Sequence, residues 1–197
     1  MSEHVGFTIT SEQALKILQE GNKRYMEGVL TQKNFSLKRK EFLKFQKPFV
    51  TVLSCSDSRV VPEFIFDANL GELFVIRNAG NLAVDKTTLG SLEYGVAHLG
   101  TPLLVVLAHQ SCGAVCATCD CRGKSNEGNI KSIIKAILPS AKKSNFDKEQ
   151  SIIESAKCTA DIIVKKSPII SQYVKEKKLK IVVGLYSFDD GSVKFLL

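Results

Sequence analysis

Two short stretches of this sequence carry side chains that bind metal ions, and each directly follows an apolar run. The first run spans residues 49–53 and is followed by Cys55, while the second spans residues 103–108 and is followed by His109 and Cys112. Thiolates and imidazoles are common zinc ligands, and catalytic zinc sites typically use three protein ligands and leave one position open. The three residues therefore form a candidate catalytic zinc site.

The residues after the first cysteine add a carboxylate and a guanidinium to this candidate site. Asp57 and Arg59 stand two and four positions after Cys55. Alone, such a pair is as often structural as functional, and a single cysteine after a buried strand is more often a core residue than a ligand. The presence of His109 and Cys112 favours the functional interpretation of all five residues. Asp57 is also a candidate fourth ligand, which Arg59 can hold away from the metal.

The hydrophobic pattern predicts an α/β fold that can bring the two stretches together. We predict four parallel strands at residues 49–53, 73–76, 103–108 and 179–186, and a closing antiparallel strand at 193–196. Strands that alternate with helices indicate a mostly parallel central sheet flanked by helices. Ligands of open sheets bind beyond the carboxyl ends of the strands, where Cys55 and His109 stand.

The helical segments divide the chain without a linker, so we predict a single domain over residues 1–197. Helices are expected at residues 11–28, 62–66, 87–99, 130–138 and 149–166, with another that begins near Cys112 and Gly113. Ser11 is the expected N-cap of the first helix. We expect residues 1–10 to form a flexible tail. Residues 11–45 are expected to form a helical arm that packs on a partner subunit.

Composition restricts the class of protein. The chain has 197 residues, a formal charge of +7 and six cysteines. It has no apolar run of about 20 residues and no signal segment, which predicts a cytoplasmic protein with reduced thiols and no membrane partner. The lysines are interleaved with acids at helical spacing and no base-reading motif accompanies them, so no nucleic-acid partner is expected.

The sequence resembles the β-class carbonic anhydrases over roughly residues 11–196. The likeness rests on residues 55–60 and 109–113, and is supported by residues 20–25, 71–81 and 183–186. Membership would imply an α/β fold whose basic unit is a homodimer, often paired further into a homotetramer. The implied activity is the reversible hydration of carbon dioxide to bicarbonate and a proton, with one Zn²⁺ per chain.

The resemblance also implies roles for the residues of the candidate site. Cys55, His109 and Cys112 would bind zinc, and a zinc-bound hydroxide would attack carbon dioxide. Asp57 would accept a hydrogen bond from this hydroxide and orient it. Arg59 would keep Asp57 ionised and turned away from the zinc.

Five further positions match substrate-binding residues of the family. Gln46 stands where plant-like members have a substrate-binding glutamine, and Phe74 and Tyr94 match the apolar pocket for carbon dioxide, supplied partly across the dimer. Gly113 would offer a backbone N–H to bicarbonate at a helix start. Ala79 replaces the valine of the plant-like members and so changes the pocket volume.

Two other functions remain open on the sequence alone. The first is a hydrolase of carbonyl sulfide or carbon disulfide on the same scaffold, which would need a similar hydroxide attack. The second is a non-enzymatic zinc or redox protein, in which Cys112 acts with Cys116, Cys119 and Cys121, or a basic nucleic-acid binder.

Overall fold

The computed structural model of the chain describes residues 9–125 and 127–196. One five-stranded sheet, in the order β2-β1-β3-β4-β5, runs through the molecule. The strands are β1 (Val50–Cys55), β2 (Leu73–Asn78), β3 (Leu103–His109), β4 (Lys180–Tyr186) and β5 (Val193–Leu196). The first four are parallel, and β5 pairs with β4 antiparallel. The predicted α/β fold with a closing antiparallel strand is confirmed.

Helices cover both faces of this sheet. They are α1 (Ser11–Glu27), α2 (Phe35–Glu41), α3 (Pro62–Ile65), α4 (Lys86–Glu93), α5 (Gly113–Asp120), α6 (Ile130–Lys143), α7 (Lys148–Lys166) and α8 (Pro168–Lys175). The predicted helix at 87–99 changes to π-helix over Tyr94–His98. The sequence pattern does not predict α8. Ser167 and Pro168 end α7 but also start α8, because the Ser167 hydroxyl caps the Ile170 N–H and proline suits a first helical position.

The sheet separates two hydrophobic cores, and alternate residues of its central strands enter each one. Leu53 and Val106 pack with the core that contains α4 to α8, whereas Val52 and Val105 pack with the core that contains α1 and α3. Every residue of β1 and β3 is buried. In contrast, β2 lies at the sheet edge and is only partly covered.

The amino-terminal region packs partly on its own chain. Thr10, not the predicted Ser11, caps α1 through a capping box with Gln13. The apolar face of α1, including Ala14 and Leu18, is fully buried against the sheet. In contrast, α2 has no buried residue. Of the predicted flexible tail, residues 1–8 lie outside the described residues, and packing of the arm on a partner subunit stays a prediction.

Candidate metal centre

The carboxyl ends of β1 and β3 bring the three predicted metal ligands together. Cys55 is the last residue of β1 and His109 the last residue of β3, and these strands are parallel neighbours. Ser111, in the left-handed region at φ 54°, turns the chain so that Cys112 begins α5 beside them. One ligand atom from each of Cys55, His109 and Cys112 lies within 4.8 Å of the others, and all three residues are buried.

The hydrogen bonding of His109 leaves one ring nitrogen available for a metal. Its Nδ1 lies 2.9 Å from the carbonyl oxygen of Gln110. Because a carbonyl only accepts, Nδ1 carries the proton and Nε2 presents its lone pair. Nε2 is buried and has no hydrogen-bond partner among the described residues. An unpaired buried polar atom costs roughly 1–3 kcal/mol, and a metal ion would satisfy it.

Only one of the two thiols, that of Cys55, favours the deprotonated form that metal binding requires. The hydrogen bond from the Cys112 thiol, aided by the Gly80 N–H at 3.4 Å from Sγ, lowers the pKa of Cys55 to about 4 although burial opposes this. The same hydrogen bond with Cys55, together with burial, raises the pKa of Cys112. One thiolate therefore exists near neutral pH, and a metal ion would displace the proton of the second thiol. Two thiolates and an imidazole are a donor set that fits zinc.

Asp57 and Arg59 form a bidentate ion pair beside the cluster. Arg59 donates from Nε to Oδ1 at 2.9 Å and from a terminal nitrogen to Oδ2 at 2.8 Å, and its backbone N–H also binds Oδ1. The Arg59 side-chain hydrogen bonds hold the pKa of Asp57 well below its ordinary value. The carboxylate is thus ionised and turned towards Arg59.

Arg77 fixes the loop that connects Cys55 to Asp57, a role that the sequence analysis did not identify. Its guanidinium donates to the carbonyl oxygen of Cys55 at 3.0 Å and to that of Asp57 at 2.8 Å. Arg77 lies on β2 in register with Ser54 of β1. The parallel register of β1 and β2, which only the structure shows, brings Arg77 to this loop.

Two of the predicted substrate-binding residues lie at this centre. Ala79 precedes Gly80, whose N–H meets the Cys55 sulfur. Gly113 follows Cys112 and is the first residue of α5. A Cβ placed on Gly113 would meet nothing within 4 Å, so open space lies in front of this helix start.

The other three predicted substrate-binding residues lie elsewhere in the chain. Phe74 is in register with Thr51, four residues before Cys55, which corresponds to roughly 13 Å along a strand. Tyr94 lies against Phe74, with ring centroids 6.0 Å apart, and is 47% exposed. Gln46 is exposed and precedes the amino end of β1. One chain alone does not place these three side chains beside the ligand cluster.

Comparison with known proteins decides the family. A carbonic anhydrase family profile matches residues 50–193. Carbonic anhydrase 2 of Mycobacterium tuberculosis is 36% identical over 185 residues, which cover 90% of this chain and 89% of that protein. The Coccomyxa β-carbonic anhydrase solved with acetazolamide is 26% identical, has a TM-score of 0.74 and covers 92% of this chain and 86% of its own. The chain belongs to the β-carbonic anhydrase family.

More distant β-carbonic anhydrases share the fold. One of the two tetrameric enzymes solved from the ascomycete Sordaria macrospora has a TM-score of 0.70 at 21% identity, with 94% of each chain covered. The family assignment that the sequence resemblance implied is confirmed.

Among the described residues of this β-carbonic anhydrase, no helix combines the length and apolar character that crossing a bilayer requires.

The additional cysteines do not build a second metal cluster in the described part of this β-carbonic anhydrase. The only group of three or more metal-capable side chains found there is the one described above. Cys119 is buried, and Cys116 and Cys121 are partly buried. Burial raises the pKa of the Cys116 thiol, which disfavours the reactive thiolate.

Proposed function

We propose that this β-carbonic anhydrase catalyses the zinc-dependent, reversible hydration of carbon dioxide to bicarbonate and a proton. The observation that carries the proposal is the buried cluster of Cys55, His109 and Cys112, in which His109 Nε2 lacks a partner among the described residues. The relatives named as carbonic anhydrases support the same activity.

One zinc ion per chain would be held by Cys55 Sγ, His109 Nε2 and Cys112 Sγ. When bound, zinc supplies Lewis-acid chemistry that lowers the pKa of a water molecule towards about 7. Three protein ligands leave one coordination position for that chemistry.

Asp57 is proposed to orient the attacking oxygen. An ionised carboxylate only accepts hydrogen bonds, so Asp57 would accept a hydrogen bond from the O–H of the nucleophile and thereby direct the oxygen lone pair at the carbon. Arg59 binds both carboxylate oxygens and prevents Asp57 from turning towards the cluster. Arg77 supports this arrangement because it binds the backbone carbonyls on both sides of Ser56.

Product binding is assigned to the start of α5. The backbone N–H of Gly113 lacks an intrahelical partner by its position, and such groups suit an anionic oxygen. Ala79 precedes Gly80, whose N–H meets the Cys55 sulfur, and is proposed to border the substrate with its small side chain.

A second copy of the chain is proposed to complete the pocket. Gln46, Phe74 and Tyr94 lie at the other end of β1 from Cys55, so in a homodimer they would serve the partner's cluster. The exposed apolar residues Leu43 (76%) and Phe45 (58%) support a covering subunit in this region. The tetrameric Sordaria macrospora enzymes support further pairing of dimers. The six free cysteines fit the cytoplasmic location that we propose.

The competing substrates are carbonyl sulfide and carbon disulfide, which the smaller Ala79 would favour by enlarging the pocket. Initial rates with each gas should be compared on the same zinc-loaded protein at pH ~8, near the range in which the bound water ionises. We expect carbon dioxide to react faster by orders of magnitude. A faster reaction with either sulfur compound would replace the proposed function.

A further inference from the structure

Phe188 lies in the turn after β4 and contacts the metal centre at two points. Its ring faces the guanidinium of Arg59, with Cζ 4.1 Å from the ring centroid. Its ring also meets the ring of His109, with centroids 5.5 Å apart and planes at 64°. Tyr186 packs against it at 5.4 Å and 82°. One side chain thus links the residue that holds Asp57 to a candidate zinc ligand.

Gln110 fixes Phe188 in this position. The Gln110 backbone N–H donates to the carbonyl of Tyr186 at 2.9 Å, and its carbonyl accepts from His109 Nδ1 at 2.9 Å. Its side-chain oxygen accepts from the Phe188 N–H at 3.0 Å, and its amide nitrogen donates to Asp189 at 2.9 Å. The backbone N–H and both side-chain groups of Gln110 therefore join the end of β3 to the end of β4 and to the turn that carries Phe188, while the Gln110 carbonyl holds the His109 ring.

The ion pair with Asp57 does not by itself fix the Arg59 side chain in one rotamer. Its side chain is 57% exposed, whereas that of Asp57 is 17% exposed. A half-exposed arginine retains rotamer freedom, and exposed ion pairs by themselves fix side chains weakly. A cation over the face of an aromatic ring gains an additional attraction, and the flat guanidinium stacks well. The ring of Phe188 therefore restricts Arg59 to the rotamer that meets both oxygens of Asp57.

We infer that Phe188 is a positioning residue, whose ring under the guanidinium holds Arg59 on Asp57, and that Gln110 holds Phe188. The inference rests on the proposed function, because only there does the orientation of Asp57 affect a rate. Phe188 contacts the Arg59 guanidinium and the His109 ring.

The first test measures the contact without measuring activity. In zinc-loaded protein, the exchange of the Arg59 Nε proton with water is followed by nitrogen-15 NMR, with the resonance assigned by its loss in Arg59→Lys. Phe188→Leu keeps an apolar side chain but removes the ring, and should speed this exchange roughly fivefold, the ratio expected for a half-exposed cation–π contact. Phe188→Tyr keeps the ring and should leave the exchange unchanged.

Phe195→Leu is the matched control. This phenylalanine lies on β5 of the same hairpin but stacks on Phe66, with centroids 6.2 Å apart. It should leave the Arg59 proton unchanged. If Phe188→Leu folds poorly or loses zinc, Phe188→Met tests the same contact, because methionine fills the space without a ring face.

The second test is kinetic. Phe188→Leu should lower kcat/KM for carbon dioxide roughly fivefold, while Phe188→Tyr restores it. In an Arg59→Ala background the same change should have no further effect, whereas a purely structural role would lower the rate in both backgrounds. Unchanged proton exchange in both Phe188→Leu and Phe188→Met would overturn the inference. An inactive wild-type protein would instead overturn the proposed function, and the exchange experiment would still decide whether Phe188 holds Arg59.

Discussion

At the scale of single residues, two hydrogen-bonded pairs arrange the candidate metal centre. The Gln110 carbonyl accepts a hydrogen bond from His109 Nδ1, which leaves the lone pair of the buried Nε2 available to a metal. Arg59 donates to both oxygens of Asp57 and so holds this carboxylate towards the guanidinium. The two pairs therefore support separate proposed roles for Asp57 and the ligand cluster, although Asp57 is only two residues from Cys55.

Asp57→Asn tests this separation of roles. The amide keeps the size of the side chain but replaces an acceptor-only group with one that also donates. We expect the variant to bind one zinc per chain and to lose roughly 100-fold in kcat, the magnitude of a typical acid–base or orienting contribution. Zinc content by atomic emission and stopped-flow hydration measure the two quantities separately. Full activity would show that Asp57 does not orient the nucleophile.

The ligand residues could be predicted from the sequence because each stands at the end of an apolar run. Because the carboxyl ends of parallel strands lie at the same edge of a sheet, Cys55 and His109 could be expected close together. Arg77 and Phe188 could not be placed in the same way, because their contacts join segments about 20 to about 130 residues apart, and local patterns carry no information about such pairs.

At the scale of elements, the π-helix over Tyr94–His98 is the main departure from the sequence pattern. The wider turn brings Gly95 against the sheet, where an added Cβ would lie 2.3 Å from Thr51 Oγ1 and 2.9 Å from Phe74 Cδ1. The spacing of apolar residues does not show where the backbone hydrogen bonds change from the i→i+4 pattern of an α-helix to the i→i+5 pattern of a π-helix. The close approach of Gly95 to β1 and β2 requires a residue without a side chain.

Gly95→Ala should therefore destabilise the protein, by about 1–3 kcal/mol as in other overpacked sites. Gly90 lies on α4, one turn earlier, and a Cβ there meets nothing within 4 Å. Gly90→Ala should stabilise by up to about 1 kcal/mol through helix propensity. Urea unfolding of both variants measures the difference. Equal effects of the two substitutions would contradict the packing described for the π-helix.

Asp67 anchors the start of the arm to the body of the molecule. Its side chain is fully buried, and Lys33, Arg24 and the Thr31 N–H and hydroxyl all donate to it. Burial alone would raise the pKa of Asp67, but the hydrogen bonds from Lys33 and Arg24 outweigh it and hold the pKa well below its ordinary value. The segment that leads from α1 to α2 thus leaves the body at a fixed point.

Asp67→Asn should lower the free energy of unfolding by about 3 kcal/mol at pH 7, as expected when a buried ion pair loses one partner. Asparagine tolerates the left-handed backbone at this position, φ 46°, so the charge is the main change. Because the folded-state pKa is depressed, the stabilisation is present above the unfolded pKa of about 3.9 and is lost as pH falls below it. The difference between wild type and variant should shrink between pH 7 and pH 3. A constant difference would exclude the charged form as its source.

The elements themselves were predicted to different degrees. The observed bounds of the central strands agree with the predicted apolar runs to within two residues. Burial on both faces of the sheet restricts these strands to apolar residue types, so the runs are easy to recognise. The edge position of β2 depends on which strands lie beside it in space. The existence of α8 depends on Ser167, an N-cap that in sequence equally indicates the end of α7. Neither feature therefore followed from the local pattern.

At the scale of the whole molecule, the proposed substrate-binding positions fall into two groups. Ala79 and Gly113 are next in sequence to Gly80 and Cys112 of the candidate metal centre, whereas Phe74 and Tyr94 lie at the other end of β1. The resemblance marks all four positions, and only the fold shows that they lie at opposite ends of β1.

Sedimentation at micromolar concentration should therefore give at least twice the 21.7 kDa of one chain. Leu43→Glu places a charge on the exposed arm and should shift the protein towards monomer. Ile169→Glu changes an exposed residue of α8 and should leave the assembly unchanged. A monomeric wild-type protein with full activity would refute the shared pocket.

The central claim, that the cluster of Cys55, His109 and Cys112 makes the chain a zinc-dependent carbonic anhydrase, is tested most directly by titrating metal-free protein with zinc. Stopped-flow hydration of carbon dioxide is followed at each addition, with Cys55→Ser as the ligand variant and Cys158→Ser as its control on α7. We expect activity to rise linearly and to stop at one zinc per chain in the wild type and the control, and to stay near background in Cys55→Ser. A wild-type protein that binds one zinc per chain and remains inactive would contradict the account.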